Sequence, residues 1–141
     1  MIAAIRISGM IKLKSEIQET LFRLRMRKKY TCVILDEKNL QTLGMIRTVK
    51  DCIAFGTIDE KTLVSLIKAR GKKIGDKGAK VEHPEKIATE ILAGKNMEEL
   101  GIKPFFGLHP PRGGINTKLH YPRGVLGNHK EAINKLIMKM L

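Results

Sequence analysis

The stretch Tyr30-Thr-Cys-Val-Ile-Leu35 decides the fold. It is β-branched and apolar, too short for a helix, and bounded by cations before it and the polar run Asp36 to Asn39 after it, so it predicts a buried strand. Working outward toward the N-terminus, Ile17, Leu21 and Leu24 recur at i, i+4 and i+7. They predict a helix opened by a Ser15/Gln18 capping box and ending in the cations Arg23, Arg25, Arg27, Lys28 and Lys29. Before it, Ile2 to Ile7 is a second apolar strand, with Arg6 its only charge and Ser8-Gly9 its close. In the other direction, Asp36 to Asn39 starts a second helix with Leu40, Leu43, Ile46 and Val49 inward, and Asp51 to Phe55 is a third strand stopped by Gly56. Strand, helix, strand, helix, strand with tight connections predicts an α/β (α+β) sandwich, its helices covering one face of a small sheet.

Past residue 56 the pattern changes. A Thr57/Glu60 capping box opens a helix with Leu63, Leu66 and Ile67 on one face and Gly71 as its stop. Residues 68–80, KARGKKIGDKGAK, read as a cationic glycine-containing loop. Pro84 then opens a helix through Ile87, Ile91 and Leu92, closed by Gly94. From Lys103 to Asn128 the chain is rich in Gly and Pro and lacks apolar periodicity, which predicts a long irregular segment. A final amphipathic helix, capped by Asn128, turns Ile133, Leu136, Ile137 and Met140 inward and leaves Lys130, Lys135 and Lys139 as an outer rim. The expected organisation is a compact core module over 1–56 and a helical, basic loop extension over 57–141.

The 141 residues carry 27 Lys and Arg against 14 Asp and Glu, a net charge of +13, which calls for a polyanionic partner. A membrane is the weaker candidate, because no stretch approaches the roughly 18 apolar residues of a span and Met1 to Met10 lacks the character of a leader. A cytoplasmic protein is expected. Cys32 and Cys52 lie in apolar runs, as free buried thiols in a reducing compartment do, and no His or Cys spacing suggests a metal. With no Trp and 4% aromatic residues, single-strand reading by stacking is disfavoured, and phosphate and shape contacts are expected to carry nucleic-acid binding.

Three basic groups stand out: Arg23 to Lys29, Arg70 to Lys80, and Arg112, Lys118 and Arg123. Read singly, each is an ordinary solvated face; together they account for the charge surplus. The run His109-Pro-Pro-Arg-Gly-Gly-Ile115 and its echo His120-Tyr-Pro-Arg-Gly-Val125 suit an arm laid along RNA, proline limiting the chain and glycine letting backbone N–H groups approach phosphate. The residues expected to contact RNA are Arg25, Arg27, Lys28, Lys29, Arg70, Lys72, Lys73, Lys77, Arg112, Lys118, His120 and Arg123. Phe105 and Phe106 are expected to anchor their loop in the core. Gly75-Asp-Lys-Gly78 matches the GxxG clamp of KH domains and leaves a KH-like regulator as one rival reading. A second rival, an RNA-processing enzyme using His109 or His120, lacks a paired carboxylate in sequence to orient the imidazoles. No nucleophile elbow, Walker loop, dinucleotide loop or HExxH motif is present, so neither a cofactor nor catalysis is expected.

Several segments in order resemble one family end to end. They are the first strand with Arg6 and Gly9, Leu24-Arg-Met-Arg-Lys-Lys29, Leu43-Gly-Met-Ile46, Lys68-Ala-Arg-Gly71, and Phe106-Gly-Leu-His-Pro-Pro-Arg-Gly-Gly114. The chain resembles the universal large-subunit ribosomal protein thirty family, in its archaeal and eukaryotic branch, where the eukaryotic form is called large-subunit protein seven. The resemblance implies a ferredoxin-like core with a small antiparallel sheet backed by two helices. It also implies assembly into the large subunit, contacts with its rRNA and neighbouring proteins, and proximity to 5S rRNA. Eukaryotic members carry a long basic N-terminal extension that is not seen here, so the archaeal type is expected.

Overall fold

Every residue of the first strand is buried, which is possible only if both faces of its sheet are covered. The computed structural model describes residues 1–75 and 81–141. Its elements are β1 (Ile2–Arg6), α1 (Ser15–Arg23), β2 (Thr31–Leu35), α2 (Leu40–Thr48), β3 (Ile53–Thr57), α3 (Glu60–Arg70), α4 (Pro84–Leu92), β4 (Phe106–Gly107), β5 (Gly127–Asn128) and α5 (Ile133–Met140), the last preceded by a 3-10 turn at Lys130–Ala132. The sheet runs β4-β2-β1-β3-β5. Its centre is antiparallel, with Ala4 opposite Val33 on one side and Phe55 on the other. The ferredoxin-like core is therefore present, with α1 and α2 on one face.

Strand alternation sorts the core into two layers. Ile2, Ala4, Val33 and Ile53 pack with Leu21, Leu24, Ile46 and Val49 under α1 and α2. Ala3, Ile5, Cys32 and Ala54 pack with Leu63, Leu66 and Ile67 of α3, Ala88 and Ile91 of α4, and Ile133, Ile137 and Met140 of α5. The helices thus cover both faces, not one as the 1–56 pattern predicts: the second layer comes entirely from residues beyond 56. Burial in it pushes the Cys32 thiol up to about 12 and keeps it neutral. Cys32 and Cys52 are both free and buried.

The helix ends depart locally from the sequence reading. Lys14 caps α1 without a side-chain bond, and Gln18 donates to the Leu13 carbonyl at 3.0 Å in place of a capping box with Ser15. The helix stops at Arg23, so Arg25 to Lys29 belong to a turn and not to its last helical turn. Asn39 does cap α2, accepting from the Gln41 and Thr42 amides. Leu40, however, is 81% exposed, because Thr42, Ile46 and Val49 make the inward stripe. Asp59, not Thr57, occupies the cap position of α3, and its amide donates to Asn134 Oδ1 of α5 at 3.0 Å. Gly71 and Pro84 end and begin their helices as expected.

Gly56 does not stop β3; it lies inside it, where a Cβ would fall 2.1 Å from the Lys130 carbonyl oxygen. Only a glycine lets the 3-10 turn come that close. Asn128 accepts from the Lys130 amide at the entry to that turn, but His129 takes the cap position of the turn and Ala132 that of α5, so Asn128 is not the cap of the final helix. The segment 103–128 is irregular except at its ends, where β4 and β5 add to the sheet, β5 parallel to β3. Of the two adjacent phenylalanines, Phe106 is the anchor, fully buried in β4, while Phe105 stays 43% exposed.

Candidate nucleic-acid interface

Even-numbered residues of β1 face α1, so the lone charge of that strand points beneath the connection from α1 to β2. Arg6 is fully buried there. Its Nη1 donates to the carbonyls of Met26 at 2.7 Å and Arg27 at 3.0 Å, its Nε donates to the Ser8 carbonyl at 2.9 Å, and its Nη2 lies 2.6 Å from Met10 Sδ. The Tyr30 amide donates to the Arg6 carbonyl at 2.7 Å, and Arg25 and Tyr30 take left-handed backbone angles that turn the chain between these tethers. Burial lowers the Arg6 pKa and the nearby Cys52 thiol opposes that; the guanidinium remains charged. Burial and Asp51 push the Cys52 thiol up, against Arg6.

With Met26 held inside, Arg25, Arg27, Lys28 and Lys29 are all exposed on one turn. Arg25 pairs with Glu98, Arg23 pairs with Glu19 at 2.6 Å, and Lys29 Nζ sits 4.7 Å from the Tyr30 ring centre. The turn forms one wall of a groove of about 610 Å³, completed by Phe22, Thr31 and Phe105. Four of the groove's lining residues are cationic, a density suited to phosphate.

A second cleft gathers Arg112 and Arg123 with Lys135 and Lys139, so two cations of the α5 rim belong to the same basic surface as the Pro-Arg-Gly arms. The Arg112 amide donates to the Lys139 carbonyl at 2.9 Å, tying the first arm to α5. Lys118 is exposed nearby in sequence. His120 is exposed too, and its Nε2 lies 2.8 Å from Asp51 Oδ1, so the fold supplies the carboxylate that the local sequence does not. Gly127, at φ +82°, lets this ring in, since a Cβ would fall 2.5 Å from His120 Nδ1.

The third basic group is more engaged with the protein. Arg70 is half-buried, donates from Nη2 to the Leu141 main-chain oxygen at 3.1 Å, and has a buried Nε without a partner among the described residues. Lys73 binds Glu82 at 2.9 Å and holds that carboxyl below its ordinary value, while Lys72 is exposed. Lys77 and most of the GxxG match lie outside the described residues. His109 is exposed, whereas His129 is buried with its Nε2 2.8 Å from the Val125 carbonyl; a carbonyl only accepts, so Nε2 carries the proton. Burial lowers the His129 pKa, against that hydrogen bond. Sequence reasoning missed the structural role of Arg6 and the groove position of Phe22 and Phe105. A lone arginine in an otherwise apolar strand was the available signal for the first, since a buried charge must be bonded.

Residues 2–53 match the family described as Ribosomal protein L30p/L7e. The chain is 40% identical to the large ribosomal subunit protein uL30 of Archaeoglobus fulgidus, over 99% of each chain. It is 36% identical to the protein of that name from Aeropyrum pernix and 37% identical to that from Methanococcus vannielii, in both cases over 99% of this chain and 98% of the relative. Identity of this extent spans the core and the extension alike: the chain belongs to the ribosomal protein L30p/L7e family.

Proposed function

We propose that the chain is a structural, non-catalytic constituent of the large ribosomal subunit, acting in the cytoplasmic ribosome by binding and stabilising folded rRNA beside neighbouring ribosomal proteins. The observation that carries this reading is the near-full-length identity to large-subunit proteins. The two basic clefts supply the physical means, since each cation set against phosphate releases condensed counterions whatever the base sequence. In the finer reading, Arg25, Arg27 and Lys28 contact RNA from the first groove, Lys29 from the same turn beside it, and Arg112, Lys118, His120 and Arg123 from the arms. Arg70, Lys72, Lys73 and Lys77 form the third contact group. Residues 1–56 act as the core module, and 57–141 pack on it and reach the rRNA. Proximity to 5S rRNA belongs to this proposal and rests on the family resemblance. Arginine clamps phosphate with two parallel donors where lysine offers one point charge, so Arg112→Lys weakens its contact although the charge is kept. The test is sedimentation of a cell extract at low and high salt. Co-migration of the chain with large subunits is expected at low salt, and its absence from those fractions overturns the proposal.

A further inference from the structure

Phe22 and Phe105 are the anomaly of the first groove. They are 44% and 43% exposed in a chain with only four phenylalanines, and they lie on different elements, one on α1 and one just before β4. Both rings line the same groove and stay half open to water. Cations surround it: Arg23 and Arg25 are drawn to Glu19 and Glu98, while Arg27 and Lys28 make no ion pair among the described residues. The Arg6 tether on the Met26 and Arg27 carbonyls fixes the turn that presents them. A surface with two π faces, free cations and a volume of about 610 Å³, inside the roughly 300–1,000 Å³ of small-ligand pockets, is complementary to a single nucleotide. A fully paired helix keeps its bases stacked and offers nothing to a phenylalanine.

We infer that the groove between α1 and β4 is a pocket for one unpaired RNA nucleotide, its base stacked on Phe22 or Phe105 and its phosphate held by Arg27 and Lys28. This deepens the rRNA-binding proposal and rests on it. It also changes the expectation drawn from the low aromatic content, because one unpaired base needs only one or two rings in the right place. Stacking tolerates any base, so selectivity is for the unpaired state and not for sequence.

The test uses the full chain and two RNA hairpins with the same stem, one carrying a single unpaired uridine at its centre and one fully paired, with Kd measured in dilute salt. The bulged hairpin is expected to bind about five- to a hundredfold more tightly. Phe105→Leu and Phe22→Leu keep apolar bulk at exposed positions and remove the π faces. The preference should fall in at least one of them while affinity for the paired hairpin is unchanged. Arg27→Gln should weaken both hairpins. Equal binding of the two hairpins, or a preference that survives both leucine variants together, overturns the pocket while leaving the rRNA proposal standing. Binding of neither hairpin, nor of large-subunit rRNA, overturns both. If poly-glutamate displaces the bulged hairpin more effectively than the paired hairpin does, the groove is a site for an acidic protein segment and the inference fails.

Discussion

Replacing Arg6 with methionine keeps an unbranched side chain of similar length but removes the donors that hold the turn. Two bonds, to the Met26 and Arg27 carbonyls, tie down residues 26–27, and a third reaches Ser8. Each buried acceptor left without a donor costs roughly 1–3 kcal/mol, and removing the cost of burying a guanidinium offsets part of that. The net loss should be about 3 kcal/mol, a large fraction of the ~5–15 kcal/mol of a typical domain, or near 10 °C in Tm for a chain of this size. Arg6→Lys keeps the charge and has three donors, but they radiate from a single nitrogen and cannot reach carbonyls that Arg6 serves from both Nε and Nη1, so it should recover less than half of the loss. Urea unfolding followed by circular dichroism at 25 °C measures both variants. The methionine protein should also bind rRNA less well under conditions where it is still folded, because Arg25 to Lys29 no longer share one orientation. A urea midpoint for Arg6→Met within experimental error of the unsubstituted chain would refute the reasoning, since it would mean that the buried guanidinium contributes nothing to the turn.

Gly56→Ala should destabilise the protein by about 3 kcal/mol, read as a fall in thermal midpoint, because the new methyl meets the Lys130 main chain, which cannot step aside cheaply. The double variant Arg27→Gln, Lys28→Gln should lower the slope of log K against log salt by about two for an rRNA fragment; an unchanged slope excludes both side chains from phosphate contact. His129 titrates lower in the folded chain than in the unfolded one, so below about pH 6.5 the unfolded chain binds more protons. Stability should therefore be full above that pH and decline as pH falls toward the folded-state value, and His129→Gln should flatten this part of a urea-midpoint profile between pH 8 and 5.

The core was legible where a single face sets the pattern. Leu21 and Leu24, Ile46 and Val49, and Leu63, Leu66 and Ile67 are buried as their spacing demands. It failed where a contact arrives from far along the chain. Gly56 looks like a stop because nothing local shows that Lys130 packs onto it, and the second helical layer is invisible in residues 1–56 because its helices lie beyond them. The charge surplus and its loops were equally plain, yet which cations share a cleft was not, since Lys135 and Lys139 meet Arg112 and Arg123 only after α5 docks. His120 and Asp51 are 69 positions apart, and no local motif links them.

The two-sided burial of β1 also sets a schedule for synthesis. Its second face is sealed by Ile133, Ile137 and Met140, and the Asp59–Asn134 bond that fastens α5 spans 75 positions. At roughly 5–20 residues per second, an interval of about 4 to 15 s separates emergence of the central strands from arrival of their cover. Within that interval α3 and α4 can cover part of the face formed by Ala3, Ile5, Cys32 and Ala54, but the part that belongs to α5 stays open until the last residues are made, so the nascent chain carries an incompletely sealed apolar face to the end of its synthesis.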